Sequence, residues 1–133
     1  MIEIKTIDHV VLRTTKLDAM LEFYCNVLNC AVERELPSAT GFVQLRAGSA
    51  LIDLVTVDSE LGKLGGKPPQ QDGRNVDHFC LTIARQTEEV ILEYLQAAGI
   101  DCDGFAERYG AEGFGRSIYI EDPEANVVEL KLD

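Results

Sequence analysis

The chain has 133 residues, a length typical of one domain that can bury its own core. Only 12 Lys and Arg stand against 23 Asp and Glu, and the net charge of −11 argues against a nucleic-acid partner, because phosphate binding needs clustered cations. No apolar run approaches the roughly 20 residues of a bilayer-spanning helix, and the N-terminus lacks a signal-peptide layout. We therefore expect a cytoplasmic protein with a small-molecule substrate and no membrane partner.

The first half of the chain predicts a strand, a helix and three further strands. The first strand covers residues 6–13, where β-branched residues are frequent. The helix covers residues 16–28, because its apolar residues fall at helical spacing on one face. The three strands that follow cover residues 30–36, 41–46 and 50–57.

The second half predicts the same order of elements. Residues 76–84 form a strand, and a helix with an acidic first turn begins at Thr87 and is ended by Gly99. The remaining strands are predicted over residues 100–109, 116–121 and 127–132. Such an internal repeat is informative about the fold before any single motif is considered.

Glycine and proline are concentrated between the two halves, in residues 58–74. This stretch lacks a sustained hydrophobic period, which is typical of a connection. The chain is therefore predicted to be a single α+β domain built of two βαβββ modules, 1–57 and 75–133, that this linker joins.

Both histidines of the chain occupy the same place in a repeated phrase. The segment from Ile7 to Leu12 (IDHVVL) matches the segment from Val76 to Leu81 (VDHFCL), and each places a histidine third. The last predicted strand of each half adds one acidic residue among apolar ones, Asp53 in the first half and Glu129 in the second. Each half thus supplies one imidazole early and one carboxylate late.

These residue types favour a metal site. A carboxylate among apolar strand residues is costly to bury unless a cation or hydrogen-bond donors compensate its charge. A single such residue is more often solvent-facing or hydrogen-bonded, whereas the occurrence of the pair in both halves favours convergence on one divalent cation. Nitrogen and oxygen donors of this kind suit Ni, Zn, Mn, Fe or Co better than Ca. The predicted ligands are His9, Asp53, His78 and Glu129.

The chain resembles the vicinal oxygen chelate superfamily, the glyoxalase, bleomycin resistance protein and dioxygenase family. The resemblance rests on the two Asp-His phrases, on Phe23 to Leu28 (FYCNVL), on Leu51 to Leu54 (LIDL) and on Ser117 to Leu130 (SIYIEDPEANVVEL). It covers nearly the whole chain, and the pattern is closest to glyoxalase I-like members.

This resemblance implies a fold and a set of roles. The two modules form a cupped, barrel-like mixed sheet around one metal ion, and the cup is often completed between two chains of a homodimer. His9, His78 and Glu129 match metal ligands of the family, and Asp53 stands where glyoxalase I has a glutamate. Arg13 matches an arginine that contacts the glutathione carboxylate, with an exposed strand arginine as the equal alternative.

Three departures from the family pattern qualify these roles. Asp53 is one methylene shorter than glutamate, about 1.5 Å of reach, so it either ligates or leaves a His-His-Glu site. Val57 replaces a polar residue expected to bind glutathione. Ala125 replaces the usual glycine of the Asp-Pro-x-Gly-Asn turn, which predicts strain if the backbone adopts a positive φ.

The leading functional hypothesis is a glyoxalase I-like (lactoylglutathione lyase-like) isomerisation of a substrate with vicinal oxygens through a metal-stabilised enediolate. Glu129, and after it Asp53, would move the proton, and a thiol such as glutathione is a possible cosubstrate. One alternative keeps the metal site and changes the chemistry to fosfomycin-resistance-like thiol transfer or hydrolysis, or to extradiol dioxygenase-like oxygen chemistry. An alternative of another class is a metal-free, bleomycin-resistance-like protein that sequesters a ligand.

A glycine-rich turn, Gly110 to Gly115, has Arg108, Tyr109 and Arg116 at its ends. We predict that these three residues form a mobile rim that grips an anionic substrate, with Tyr109 and Arg116 as the substrate contacts. A plain hairpin with solvated arginines explains them equally well. The four cysteines show no C-x-x-C spacing, which predicts free thiols.

Overall fold

The computed structural model describes all residues from 1 to 133, and they form two compact units, Met1–Gly73 and Arg74–Asp133. The strands of the first unit are β1 (His9–Thr14), β2 (Ala31–Glu35), β3 (Phe42–Ala47) and β4 (Ala50–Thr56). Those of the second unit are β5 (His78–Ile83), β6 (Ala106–Gly110), β7 (Gly113–Glu121) and β8 (Val127–Leu132). The helices are α1 (Leu17–Leu21), which continues as a π-helix over Glu22–Val27, and α2 (Glu88–Ala97).

The two units have the same sheet topology, which confirms the two βαβββ modules. The strand order is β1-β4-β3-β2 in the first unit and β5-β8-β7-β6 in the second. In each sheet the pair β1–β4 or β5–β8 is parallel, and the other pairs are antiparallel. The first and last strands of each module are thus neighbours, which places the early histidine beside the late carboxylate.

Strand alternation separates an apolar face from a polar face in both sheets. On β4 the apolar face carries Ile52 and Leu54, and on β8 it carries Val128 and Leu130; all four are buried. The helices supply the facing apolar side chains, Met20 and Tyr24 in the first unit and Ile91 and Leu95 in the second. The opposite faces carry Asp53 and Glu129.

Three segments differ from the sequence-based expectation. The predicted helix over residues 16–28 is α-helical only to Leu21, and its second half is a π-helix. The predicted strand over residues 100–109 begins only at Ala106, because the preceding segment contains Gly104 at a φ of +109°. The predicted linker, residues 58–74, contains a short 3₁₀ helix, Gly62–Gly65. No helix is long and apolar enough to cross a membrane.

The turn between β7 and β8 fixes the position of the last strand. Asp122 accepts hydrogen bonds at Oδ1 from the backbone N–H groups of Glu124 and Asn126, both at 2.9 Å. The side-chain amide of Asn126 donates to Asp122 Oδ2 at 2.8 Å. Ala125 has a φ of +64°, which meets the condition under which strain is predicted at this position.

Candidate metal and substrate site

The register of the two parallel strand pairs builds the same arrangement twice. On β4, Asp53 lies opposite Val11, two residues after His9. On β8, Glu129 lies opposite Cys80, two residues after His78. Because side chains two residues apart on a strand share a face, each carboxylate lies on the same face as the histidine of its unit.

Each histidine is oriented by the aspartate that precedes it. Nδ1 of His9 lies 2.6 Å from Oδ1 of Asp8, and Nδ1 of His78 lies 2.6 Å from Oδ2 of Asp77. A carboxylate at this distance holds the proton on Nδ1 and leaves the lone pair on Nε2, which is the usual arrangement of metal-binding histidines. The hydrogen bond that His9 donates to Asp8 raises the pKa of His9, against the opposing effect of desolvation, and the negative charge of Asp53 adds to the increase.

In the second unit one carboxylate oxygen is fixed and the other faces the imidazole. The hydroxyl of Ser117 donates to Oε1 of Glu129 at 2.6 Å, and Oε2 of Glu129 lies 3.6 Å from Nε2 of His78. Glu129 is 8% exposed. Nitrogen and carboxylate ligands bind Zn²⁺ at roughly 2.0–2.2 Å, so two atoms at this separation suit neighbouring positions around one ion.

In the first unit the carboxylate is buried and only partly satisfied. Asp53 has no exposed surface, and Gln44 donates to its Oδ2 at 3.4 Å, a long hydrogen bond. Oδ1 of Asp53 is buried and accepts no hydrogen bond. A buried carboxylate oxygen without a partner is unfavourable, and a cation beside it would offset the cost. The nitrogen and oxygen donors within each unit are of types that suit a divalent ion.

The four predicted ligands are present as two pairs, His9 with Asp53 and His78 with Glu129. No group of three or more His, Cys, Asp or Glu side chains in the chain is close enough to hold a metal ion. One shared centre with all four residues therefore stays a prediction.

Cys80 faces the same side as Glu129 and is the cysteine closest in sequence to a predicted ligand. Burial raises the pKa of its thiol to about 11, and the charge of Glu129 contributes to the increase. The group is therefore a protonated thiol near neutral pH and a poor nucleophile. All four cysteines are free, as predicted.

Arg13 is engaged by the loop that follows β4. Its Nη1 donates to the carbonyl of Lys67 at 2.8 Å, and its Nη2 donates to those of Gly62 at 3.0 Å and Gly66 at 2.6 Å. A Cβ at Gly65 would overlap the guanidinium, so glycine at this position lets the loop pass close to it. Arg13 thus anchors this loop to β1, and its predicted contact with a substrate carboxylate stays a prediction.

Tyr109 and Arg116 lie on the sheet face opposite to Glu129. Register explains this, because Tyr109 pairs with Phe114, whereas Glu129 pairs with Tyr119, and Phe114 and Tyr119 lie an odd number of residues apart on β7. Arg116 is held by Glu88 of α2, with Nε donating to Oε1 at 2.6 Å and Nη2 to Oε2 at 3.2 Å. The predicted substrate contacts of both residues stay predictions, and their placement turns them away from the carboxylate face.

Arg108 is the rim residue on the carboxylate face. It pairs with Gly115, two residues before Ser117 on β7. Its Nη1 donates to the carbonyl of Ser117 at 2.7 Å and to the Ser117 hydroxyl at 3.1 Å, and its guanidinium carbon lies 4.1 Å from the centre of the Tyr119 ring. Arg108 was part of the predicted rim, and only the register of both hairpins separates it from Tyr109 and Arg116.

The first unit contains a weaker version of this chain of polar groups. Arg34 on β2 donates to Oε1 of Gln44 at 3.3 Å, and Gln44 in turn donates to Asp53. Each carboxylate is therefore connected, through one polar side chain on the next strand, to an arginine on the outermost strand. The link is tighter in the second unit, where Ser117 lies 2.6 Å from Glu129.

This fold agrees with the match to known proteins. The chain belongs to the Glyoxalase/Bleomycin resistance protein/Dioxygenase superfamily, whose family model matches residues 6–130.

Among individual proteins, it is similar to virulence protein STM3117 of Salmonella typhimurium, 30% identical over 131 residues that cover 96% of this chain and 83% of the relative. The crystal structure of STM3117 matches with a TM-score of 0.75 at 26% identity and 98% coverage of each chain. A lactoylglutathione lyase from Agrobacterium tumefaciens matches with a TM-score of 0.70 at 21% identity, over 98% of this chain and 95% of that one, a likeness of fold alone.

Proposed function

We propose that the chain is a metal-dependent enzyme that isomerises a small substrate with vicinal oxygens, in the manner of glyoxalase I (lactoylglutathione lyase). The observation that carries the proposal is an arrangement found in both units. In each unit an aspartate holds the histidine ring, and a carboxylate on the neighbouring parallel strand lies opposite the residue two positions after the histidine. A buried structural carboxylate needs donors, whereas Oδ1 of Asp53 accepts none.

His9, Asp53, His78 and Glu129 would hold one divalent ion of Ni, Zn, Mn, Fe or Co. The two pairs would come either from one chain or from the two chains of a homodimer. When bound, the ion supplies a Lewis acid that stabilises negative charge on the substrate oxygens.

Glu129 is the residue proposed to move the proton. Ser117 restrains Oε1, so Oε2 would be the oxygen that leaves the ion and takes a proton from the carbon next to a carbonyl. Returning the same proton to the neighbouring carbon, while the hydroxyl proton moves to the former ketone oxygen, converts the hemithioacetal carbon and the ketone into a thioester and an alcohol, without net oxidation. Asp53 is the second choice for this step. A thiol such as glutathione would supply the sulfur.

The experiment removes metal with a chelator and reloads the protein with each candidate ion in turn. With methylglyoxal and glutathione, we expect thioester formation that depends on the ion and is lost in Glu129→Gln. The matched control is Glu107→Gln, an exposed glutamate on the opposite face of the same sheet.

Failure of every ion to support isomerisation would overturn the proposed reaction. If the protein nevertheless binds the ion tightly, thiol addition to an epoxide or oxygen chemistry at Fe(II) becomes the better account. If the protein binds no ion, a metal-free protein that sequesters a ligand becomes the better explanation.

A further inference from the structure

One face of the second sheet carries a row of functional groups across all four strands. His78 lies on β5, Glu129 on β8, Ser117 on β7 and Arg108 on β6. Strand pairing places them on a common face, and Ser117 joins the arginine to the carboxylate by hydrogen bonds. The row ends on a cation, which the proposed proton transfer does not use.

The guanidinium of Arg108 is oriented but not saturated. Nη1 makes two hydrogen bonds to Ser117, and the plane of the group is held against the Tyr119 ring. Its Nε and Nη2 make no hydrogen bond to the protein, and no carboxylate forms an ion pair with Arg108. An arginine that presents two N–H groups from a fixed plane suits the two oxygens of a carboxylate or a phosphate.

A second unpaired cation lies on the same face. Lys131 follows Glu129 by two residues on β8 and is 9% exposed. Its stem passes Gly110 and Gly115, where an added Cβ would come within 2.7 Å of it, and its Nζ donates to the carbonyl of Gly113 at 2.8 Å. Cations without acidic partners are unexpected in a chain with 23 acidic residues, and they favour an anionic ligand.

The open pocket next to this row is a different feature. Tyr119 borders it, and its other walls include Asp101, Asp103 and Glu121, but Arg108 does not line it. Acidic walls repel an anion, so a negatively charged group would be directed to the Arg108 side of Tyr119.

We propose that Arg108 binds a carboxylate or phosphate of the substrate, which makes the substrate an anion whose charge lies a few bonds from its vicinal oxygens. Strand β6, which carries Arg108, lies two strand spacings from β8, which carries Glu129, a distance of about 10 Å. The guanidinium leans toward Tyr119 on β7, so it lies roughly 5 Å from β8, measured across the sheet. That the bound anion is part of the substrate rests on the proposed function, whereas the anion site itself does not.

The direct test titrates metal-free protein with inorganic phosphate and, separately, with malonate, and follows binding by calorimetry. We expect saturable binding of at least one anion, weakened about tenfold or more in Arg108→Gln and partly retained in Arg108→Lys. The control is Arg85→Gln, which removes an exposed arginine of the same unit and should bind as the wild type does. The preferred anion distinguishes a carboxylate from a phosphate site.

The kinetic test compares thiols of different charge in the methylglyoxal reaction. Arg108→Gln should raise KM for the hemithioacetal of mercaptoacetate by a larger factor than KM for that of neutral mercaptoethanol. Unchanged anion binding in Arg108→Gln, or no saturable binding by the wild type, overturns the anion site. Lack of isomerisation with either thiol overturns the proposed function and leaves the binding result to decide the anion site.

Discussion

Replacement of Ser117 by alanine tests how strongly the site depends on the orientation of one carboxylate. The Ser117 hydroxyl is the donor to Oε1 of Glu129, at 2.6 Å, and neither residue is exposed beyond 8%. In Ser117→Ala that oxygen loses its donor in a place where water has little access. Arg108 keeps its hydrogen bond to the Ser117 carbonyl, because this bond involves the backbone.

The size of the effect of Ser117→Ala follows from the negative charge of the acceptor, Glu129. Hydrogen bonds to charged groups contribute about 1.5–3 kcal/mol, and loss of a hydrogen-bond partner of a metal ligand typically lowers metal affinity by about 10- to 100-fold. We expect Ser117→Ala to lower the affinity for Co(II) or Zn(II) by about tenfold or more and to lower the free energy of unfolding by about 1–3 kcal/mol. Ser117→Thr, which keeps the hydroxyl, should retain most of the affinity.

The assay is calorimetric titration of chelator-treated protein, with urea unfolding of the same samples. Ser49→Ala, in the exposed turn between β3 and β4, is the matched control and should change neither quantity. Wild-type metal affinity in a folded Ser117→Ala protein would show that Ser117 does not orient Glu129 for metal binding, because Glu129 would then bind the ion without this hydrogen bond.

Three further substitutions test other parts of the account. Asp77→Asn should lower metal affinity by about 10- to 100-fold in titrations, because His78 loses the carboxylate that fixes its tautomer. Ala125→Gly should raise the free energy of unfolding in urea by about 0.5–1 kcal/mol, because the φ of +64° strains alanine more than glycine. Gly65→Ala should lower that free energy by about 1–3 kcal/mol, because the added Cβ displaces the guanidinium of Arg13 from its carbonyl partners.

Each of these has a control on the same chain. Asp72→Asn, an exposed aspartate, should leave metal affinity unchanged. Gly73→Ala adds a Cβ into open space and should change stability by less than Gly65→Ala does. Ala111→Gly, at an exposed position, should not stabilise the protein. Equal effects of a substitution and its control would contradict the cause assigned to it.

The histidines and the carboxylates could be identified from sequence because the same residue pattern occurs in both halves of the chain. His9 and His78 stand in matching phrases, and strand alternation then puts Asp53 and Glu129 on the histidine side once the first and last strands of a module are neighbours. Duplication supplied the alignment that a single sequence otherwise lacks. The strain at Ala125 could also be anticipated, because Ala125 lies in a turn whose residue pattern, Asp-Pro-x-Gly-Asn, is recognisable in the sequence.

The arginines could not be placed in the same way. Which of Arg108 and Arg116 faces Glu129 depends on the register of two hairpins, and a shift of one residue in either would exchange them. Arg13 presents a different difficulty, because its hydrogen-bond partners are backbone carbonyls about fifty positions away, and backbone acceptors leave no trace in the residue types.

Co(II) titration of His9→Ala, His78→Ala and an equimolar refolded mixture of the two tests the shared metal ion most directly. We expect the wild type to bind one ion per chain and each variant alone to lose at least about 100-fold in affinity, more than the loss expected when only a partner of a ligand is removed. Recovery of binding in the mixture would place each ion between two chains, and no recovery would place it within one. Full affinity in either variant, or no Co(II) binding by the wild type, would contradict the claim that the two units hold one ion together.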